Sequence, residues 1–129
     1  MKLLIVDDSM IIRNAIERNV RNPEVTEILQ ADNGVRALQV YFQQYPELIT
    51  MDLTMPHLDG LGCLQKIQES GRDVSILVIS AINSHRSAME AVALGACGFL
   101  VKPFTPQELA EAINDLVNHA REKGAPHAA

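Results

Sequence analysis

Four of the chain's five apolar stretches end in a polar residue that phosphoryl-transfer chemistry can use. Residues 3–6 run into Asp7 and Asp8, residues 48–51 into Asp52, residues 76–79 into Ser80, and residues 99–101 into Lys102. If these stretches are neighbouring parallel strands, three carboxylates, a hydroxyl and an ammonium meet at one edge of a sheet. In open α/β sheets, the crevice beyond the carboxyl ends of the strands is where ligands bind.

A single aspartate after a strand needs no special explanation, because Asp favours turns and helix caps. Three together are different, since two like charges about 4 Å apart repel by about 1 kcal/mol in bulk water and ~4 kcal/mol at an effective dielectric of 20. Such a cluster either raises a pKa or holds a cation. A hard divalent ion, most simply Mg²⁺, relieves the conflict. Lys102 leaves its strand at the same edge and is expected to pair with Asp52, passing to a phosphoryl oxygen once Asp52 is modified. Ser80 could donate to that oxygen too. Phosphoryl transfer depends on positioning and charge neutralisation, with little covalent work for the protein. Asp52 is then the nucleophile, and Asp7 and Asp8 hold the metal without being modified.

Elements of alternating type must position these groups. Apolar runs alternate with segments of helical period, the pattern of a βαβ architecture. Strands are expected at about residues 3–6, 25–29, 48–51, 75–79 and 98–101. The second has a polar interior, which suits an edge. Ser9 can cap a first helix through about Val20, and Asp32-Asn33-Gly34 opens a second that closes before Pro46. Leu61, Leu64 and Ile67 mark a third helix, broken by Gly71. A fourth runs from about Ser84 to Leu94 and stops at Gly95. Thr105, Pro106 and Glu108 give the last helix an N-cap, a first-turn proline and a capping box, with Leu109, Ile113, Leu116 and Ala120 as its buried stripe. The intervals between strands leave room for helical crossovers, so the fold is a doubly wound (βα)₅ with right-handed connections.

With 129 residues, this is one domain with a single core. It is expected to span residues 1–121, with a short flexible tail at 122–129. A net charge of −5 and scattered Lys and Arg argue against nucleic acid as a partner. No run approaches a membrane span of about 18 residues, and the N-terminal apolar segment is too short for a signal peptide. A cytoplasmic location follows, with Cys63 and Cys97 as structural thiols. His57, His85, His119 and His127 are expected to be solvated.

Taken together, Val6-Asp7-Asp8-Ser9, Met51-Asp52-Leu53-Thr54-Met55-Pro56 with Asp59-Gly60, Ser80-Ala81 and Lys102-Pro103-Phe104 resemble the receiver domain of two-component response regulators. The likeness runs from Lys2 to about His119 and is similar to the single-domain chemotaxis type. It implies a flavodoxin-like sheet of order 2-1-3-4-5. It also implies that Asp52 accepts a phosphoryl group from a histidine kinase, and that Asp7, Asp8, Asp52 and the backbone carbonyl of Thr54 hold Mg²⁺. Ser80 and Phe99 resemble the switch pair, and Lys102-Pro103 resembles a bond that is cis in the family. The domain would assist only its own phosphoryl transfer and autodephosphorylation, so it is not an enzyme in the ordinary sense. Thr54 and Ile82 would flank the attacking water, where other residues are frequent, and so bear on the dephosphorylation rate and on any phosphatase.

Output would come through protein contact. Residues 87–100 carry one charged residue, Glu90, among Ala88, Met89, Ala91, Val92 and Ala93. The face made by the fourth helix, fifth strand and fifth helix is what chemotaxis receivers present to the flagellar motor switch. A phosphorelay intermediate, or the receiver of a longer regulator, is the nearest alternative. A phosphatase of the haloacid dehalogenase type would need an acid two residues after the nucleophile, where this chain has Thr54. A flavin binder would want a phosphate-cradling loop in place of Asp7-Asp8.

Overall fold

The computed structural model describes residues 1–53, 55, 59–81 and 85–124. Strands and helices alternate as β1 (Lys2–Val6), α1 (Met10–Asn19), β2 (Glu27–Ala31), α2 (Gly34–Gln44), β3 (Leu48–Met51), α3 (Gly60–Glu69), β4 (Ser75–Ser80), α4 (His85–Ala93), β5 (Ala96–Val101) and α5 (Pro106–Gly124). The strands form one parallel sheet of order β2-β1-β3-β4-β5. This is the expected doubly wound architecture.

Alternation along the central strands feeds two cores, one on each face of the sheet, where a single core was expected. Leu4, Val6, Ile49, Met51, Ile76 and Val78 face α2, α3 and α4, where Tyr41, Leu64, Ile67 and Ala91 meet them. Leu3, Ile5, Leu48, Leu77 and Ile79 face α1 and α5, against Ile16, Leu109, Ile113 and Leu116. Each such side chain, fully buried, contributes roughly 1.5–3 kcal/mol relative to exposure. A strand buried on both faces therefore reads as an unbroken apolar run, as β4 does.

Helix starts follow their caps. Ser9 Oγ accepts from Ile12 N–H at 3.3 Å, Asn33 Oδ1 from Arg36 N–H at 2.8 Å, and Asp59 Oδ1 from Gly62 N–H at 2.8 Å. The capping box of α5 is complete: Glu108 N–H donates to Thr105 Oγ1 at 3.0 Å, and Thr105 N–H to Glu108 Oε1 at 2.9 Å. Gly95 follows α4 at φ 99°, a left-handed conformation that favours glycine.

Several boundaries differ from the sequence reading. β2 lies two residues later, because its pairing starts at Lys2–Glu27 while Val25 N–H closes a turn onto Asn22 O at 3.1 Å. β5 begins earlier, at Ala96, because a register shift seats Ala96 opposite Ile76 and Gly98 opposite Leu77, leaving Cys97 as the extra residue of a bulge. α5 continues through Gly124, past the expected start of the tail. Arg121 and Lys123 occupy its last turn, where cations favour the helix, and Lys123 Nζ reaches Val74 O at 3.4 Å. His119 is half-buried rather than solvated, its Nδ1 lying 2.9 Å from Ser75 Oγ. His57, Ser84, His127 and residues 125–129 fall outside the described residues.

Candidate functional site

The backbone ladder carries each polar group just past its strand. Asp7 N–H donates to Ala31 O at 3.1 Å, Asp52 N–H to Val6 O at 3.0 Å, and Lys102 N–H to Ser80 O at 2.9 Å. Residues 7, 52, 80 and 102 are thereby fixed at one edge, although 95 positions separate the first from the last. Parallel register does the positioning.

Side-chain geometry completes the convergence. Lys102 Nζ lies 2.6 Å from Asp7 Oδ2 and 3.3 Å from Asp52 Oδ2. Ser80 Oγ donates to Asp52 Oδ1 at 3.1 Å. Asp7, Asp52 and Ser80 are buried, at 1%, 4% and 0% exposure, whereas Asp8 is exposed. The ammonium was expected to pair with Asp52; it does so, but Asp7 is the nearer partner. Both carboxylates are buried, so the ammonium between them offsets the cost of keeping two like charges out of water.

Burial raises the Asp7 carboxyl above the usual carboxylate range, against the lowering effects of its hydrogen bonds from Lys102 and Ser9 N–H; the charge of Asp52 adds to the rise. For Lys102, burial works against the charged form, but hydrogen bonding and charge attraction to Asp7, followed by Asp52, outweigh it, and the net shift is upward. Lys102 is therefore an ammonium at neutral pH.

Asp7, Asp8 and Asp52 each offer a carboxylate oxygen within 4.8 Å of the others. Three hard oxygen donors in that arrangement, two of them buried, suit Mg²⁺, which takes carboxylates and retains water. The Thr54 carbonyl and the Ile82 side chain lie outside the described residues. The Lys102-Pro103 bond is cis. Phe99 is half-buried against the core beneath α4, two residues along β5 from Val101, which pairs with Ser80.

Two supporting residues escaped the sequence reading. Arg13 Nη1 donates to Asp7 O at 2.7 Å and its Nε to Gln30 Oε1 at 3.0 Å, which ties the end of β1 to β2. Gly60 presses on the end of β3: a Cβ there would fall 2.3 Å from Asp52 O. An arginine on a helix carries no sequence signal for such a role. The Asp-Gly pair did, but only through resemblance.

Asp8→Asn removes an exposed like charge and a metal ligand together. The variant is expected to melt higher without metal, by about 1 kcal/mol of stability, and to bind Mg²⁺ more weakly. Thermal melts with and without Mg²⁺ check this, and a clear loss of stability in the metal-free variant would contradict it.

Comparison with known proteins identifies the family and agrees with the fold. The family model described as the response regulator receiver domain matches residues 3–114. The chemotaxis protein CheY of Listeria monocytogenes is 34% identical over 113 residues, covering 88% of this chain and 95% of that one. A probable transcriptional regulator, ycf27, of Pyropia yezoensis is also 34% identical, over 119 residues that cover 92% of this chain but 48% of its own length. Among solved structures, a chain of the CheX–CheY–BeF₃–Mg²⁺ complex from Borrelia burgdorferi superposes with a TM-score of 0.84 at 27% identity, covering 91% of this chain and 89% of that one. The protein is a signalling receiver rather than a conventional enzyme, and the chain belongs to the response-regulator receiver family.

Proposed function

We propose that the chain is a phosphorylation-activated switch in which Asp52 accepts a phosphoryl group from a histidine kinase. Asp7, Asp8 and Asp52, with the Thr54 carbonyl, would hold Mg²⁺, which when bound supplies positive charge beside the developing phosphoryl oxygens. Lys102 faces the same carboxylate and neutralises a further part of that charge. Ser80 already donates to Asp52 and can follow the phosphoryl group, with Phe99 moving behind it. The convergence of Lys102, Ser80 and the acidic triad on Asp52 carries this reading. In the same reading, the domain speeds its own dephosphorylation and works in the cytoplasm as residues 1–121 of the chain.

The output we infer is chemotactic, through contact with the flagellar motor switch. Support comes from the likeness to CheY and from the surface of α4, where Met89 and Val92 stand 60% and 59% exposed; Val101 of β5 is exposed as well. Exposed apolar patches mark docking faces. Binding of the Asp52-phosphorylated chain to a motor-switch peptide is expected to be at least about tenfold tighter than that of the unmodified chain. Equal affinity would remove the chemotactic output.

The ycf27 relative favours a second reading, in which the same switch serves a longer regulator, and a phosphorelay intermediate stands beside it as a further alternative. Recovery of the phosphoryl group on a histidine phosphotransfer protein, with no gain in peptide affinity, would select the relay, and a longer open reading frame would select the longer regulator. A phosphatase stays among the proposed partners, and the CheY chain above, solved with a bound protein, shows that a similar receiver forms protein complexes.

A further inference from the structure

Beside the acidic edge, where the end of β2 meets α1 and α2, lies an open groove of about 430 Å³. The residues that line it include Arg13, Arg36, Gln30, Gln39, Asp32 and Val35. That volume lies within the range of small-molecule sites, about 300–1,000 Å³. In a chain of net charge −5, two arginines against one aspartate set this lining apart from the acidic edge next to it.

Arg13 is held in place. Its Nη1 donates to Asp7 O and its Nε to Gln30 Oε1, and Gln30 is itself fixed by donation from Nε2 to Asn14 Oδ1 at 3.3 Å and to Glu17 Oε1 at 3.2 Å. A guanidinium oriented before a ligand arrives costs little further ordering when it binds. Arg36 Nη1 donates to Gln39 Oε1 at 3.2 Å. The N-terminus of α2 is already closed by the side chain of Asn33, so recognition here falls to side chains. Guanidinium groups bind phosphate and carboxylate oxygens through paired N–H donors. Asp32, whose Oδ1 accepts from Asn33 Nδ2 at 2.8 Å, adds a carboxylate with acceptor capacity that a bare anion would not use. A molecule with an oxyanion at one end and adjacent N–H donors at the other satisfies both.

We propose that this groove binds a phosphorylated small molecule of nucleotide size, its phosphate on Arg13 and Arg36 and the paired N–H groups of a guanine-type base on Asp32. The site stands apart from Asp52, yet Arg13 joins the two through the Asp7 carbonyl. Occupancy should therefore be visible at the backbone of residues 7–9.

Titration of the full chain with GMP, in EDTA and at low ionic strength, followed by calorimetry and amide NMR, tests the assignment. Saturable binding is expected, with shifts at the groove and at residues 7–9. Inorganic phosphate alone and guanosine alone should each bind at least about tenfold more weakly than GMP. Arg36→Met and Arg13→Met should each weaken GMP about tenfold, and Asp32→Asn should narrow the gap between GMP and phosphate. Because Arg13 also ties β1 to β2, Arg36→Met, an exposed site, decides the case if Arg13→Met folds poorly. Absence of saturable GMP binding, or GMP binding unchanged in Arg36→Met, would overturn the proposal. So would phosphate binding as tightly as GMP to the parent chain.

Discussion

Gly60→Ala is expected to destabilise the fold by about 1–3 kcal/mol and to slow phosphoryl acceptance at Asp52 by more than that stability loss explains. The added methyl group would stand 2.3 Å from Asp52 O and 2.5 Å from Leu53 Cα, closer than real Cβ contacts come. Both neighbours are backbone, so neither can swing aside as the end of a flexible side chain could. Gly60 N–H also donates to Leu53 O at 3.0 Å, which holds the two segments together while the new atom forces them apart. Relief must come from movement at the end of β3, and that movement takes Asp52 with it. Denaturant melts and a phosphorylation time course on the same sample check the two effects. A variant with parent-like stability and rate would show that the close approach has no consequence.

Removal of the ammonium has an effect of similar size and a distinct pH signature. Lys102→Met leaves Asp7, 1% exposed, without its closest cation and beside Asp52. Breaking a buried ion pair from one side costs about 3–5 kcal/mol when the remaining charge cannot escape. Asp7 can escape by taking a proton. Burial already raises its pKa, and loss of Lys102 removes two of the influences that lower it. A carboxyl whose native pKa exceeds its unfolded value binds protons more tightly when folded, so its contribution favours folding at low pH and is lost as pH rises through the native pKa. The deficit of Lys102→Met relative to the parent should therefore be small near pH 5 and largest near pH 8. Mg²⁺ should restore stability at pH 8, because it replaces the missing charge. Melts at the two pH values, with and without Mg²⁺, provide the check; a deficit independent of pH and metal would contradict the assigned role of the pair.

Much of this arrangement was legible because parallel strands buried on both faces announce themselves. The runs at residues 3–6, 48–51 and 75–79 could be placed to within a residue or two, and with them the positions of Asp7, Asp52 and Ser80. Caps with a local mechanism were equally readable, as at Ser9 and at Thr105 with Glu108. The bulge at Cys97 was not, since an extra residue in an edge strand depends on its pairing partner and leaves no periodic trace. The offset of β2 has the same origin: Val25 looks more strand-like than Gln30, but the register with Lys2 decides. In the site, residue types revealed which groups could meet, whereas the nearer approach of Lys102 to Asp7 than to Asp52 is a matter of side-chain geometry that only the packed structure supplies. Arg13 and the close approach of Gly60 are tertiary contacts, invisible to spacing.

Incubating the chain with Mg²⁺ and a small phosphodonor, then measuring the intact mass and locating the modification, tests the central claim most directly. The expected result is one added phosphoryl group, borne by Asp52, lost when Mg²⁺ is removed and absent in Asp52→Ala. A chain that stays unmodified under these conditions, or a label that persists in Asp52→Ala, would contradict the account.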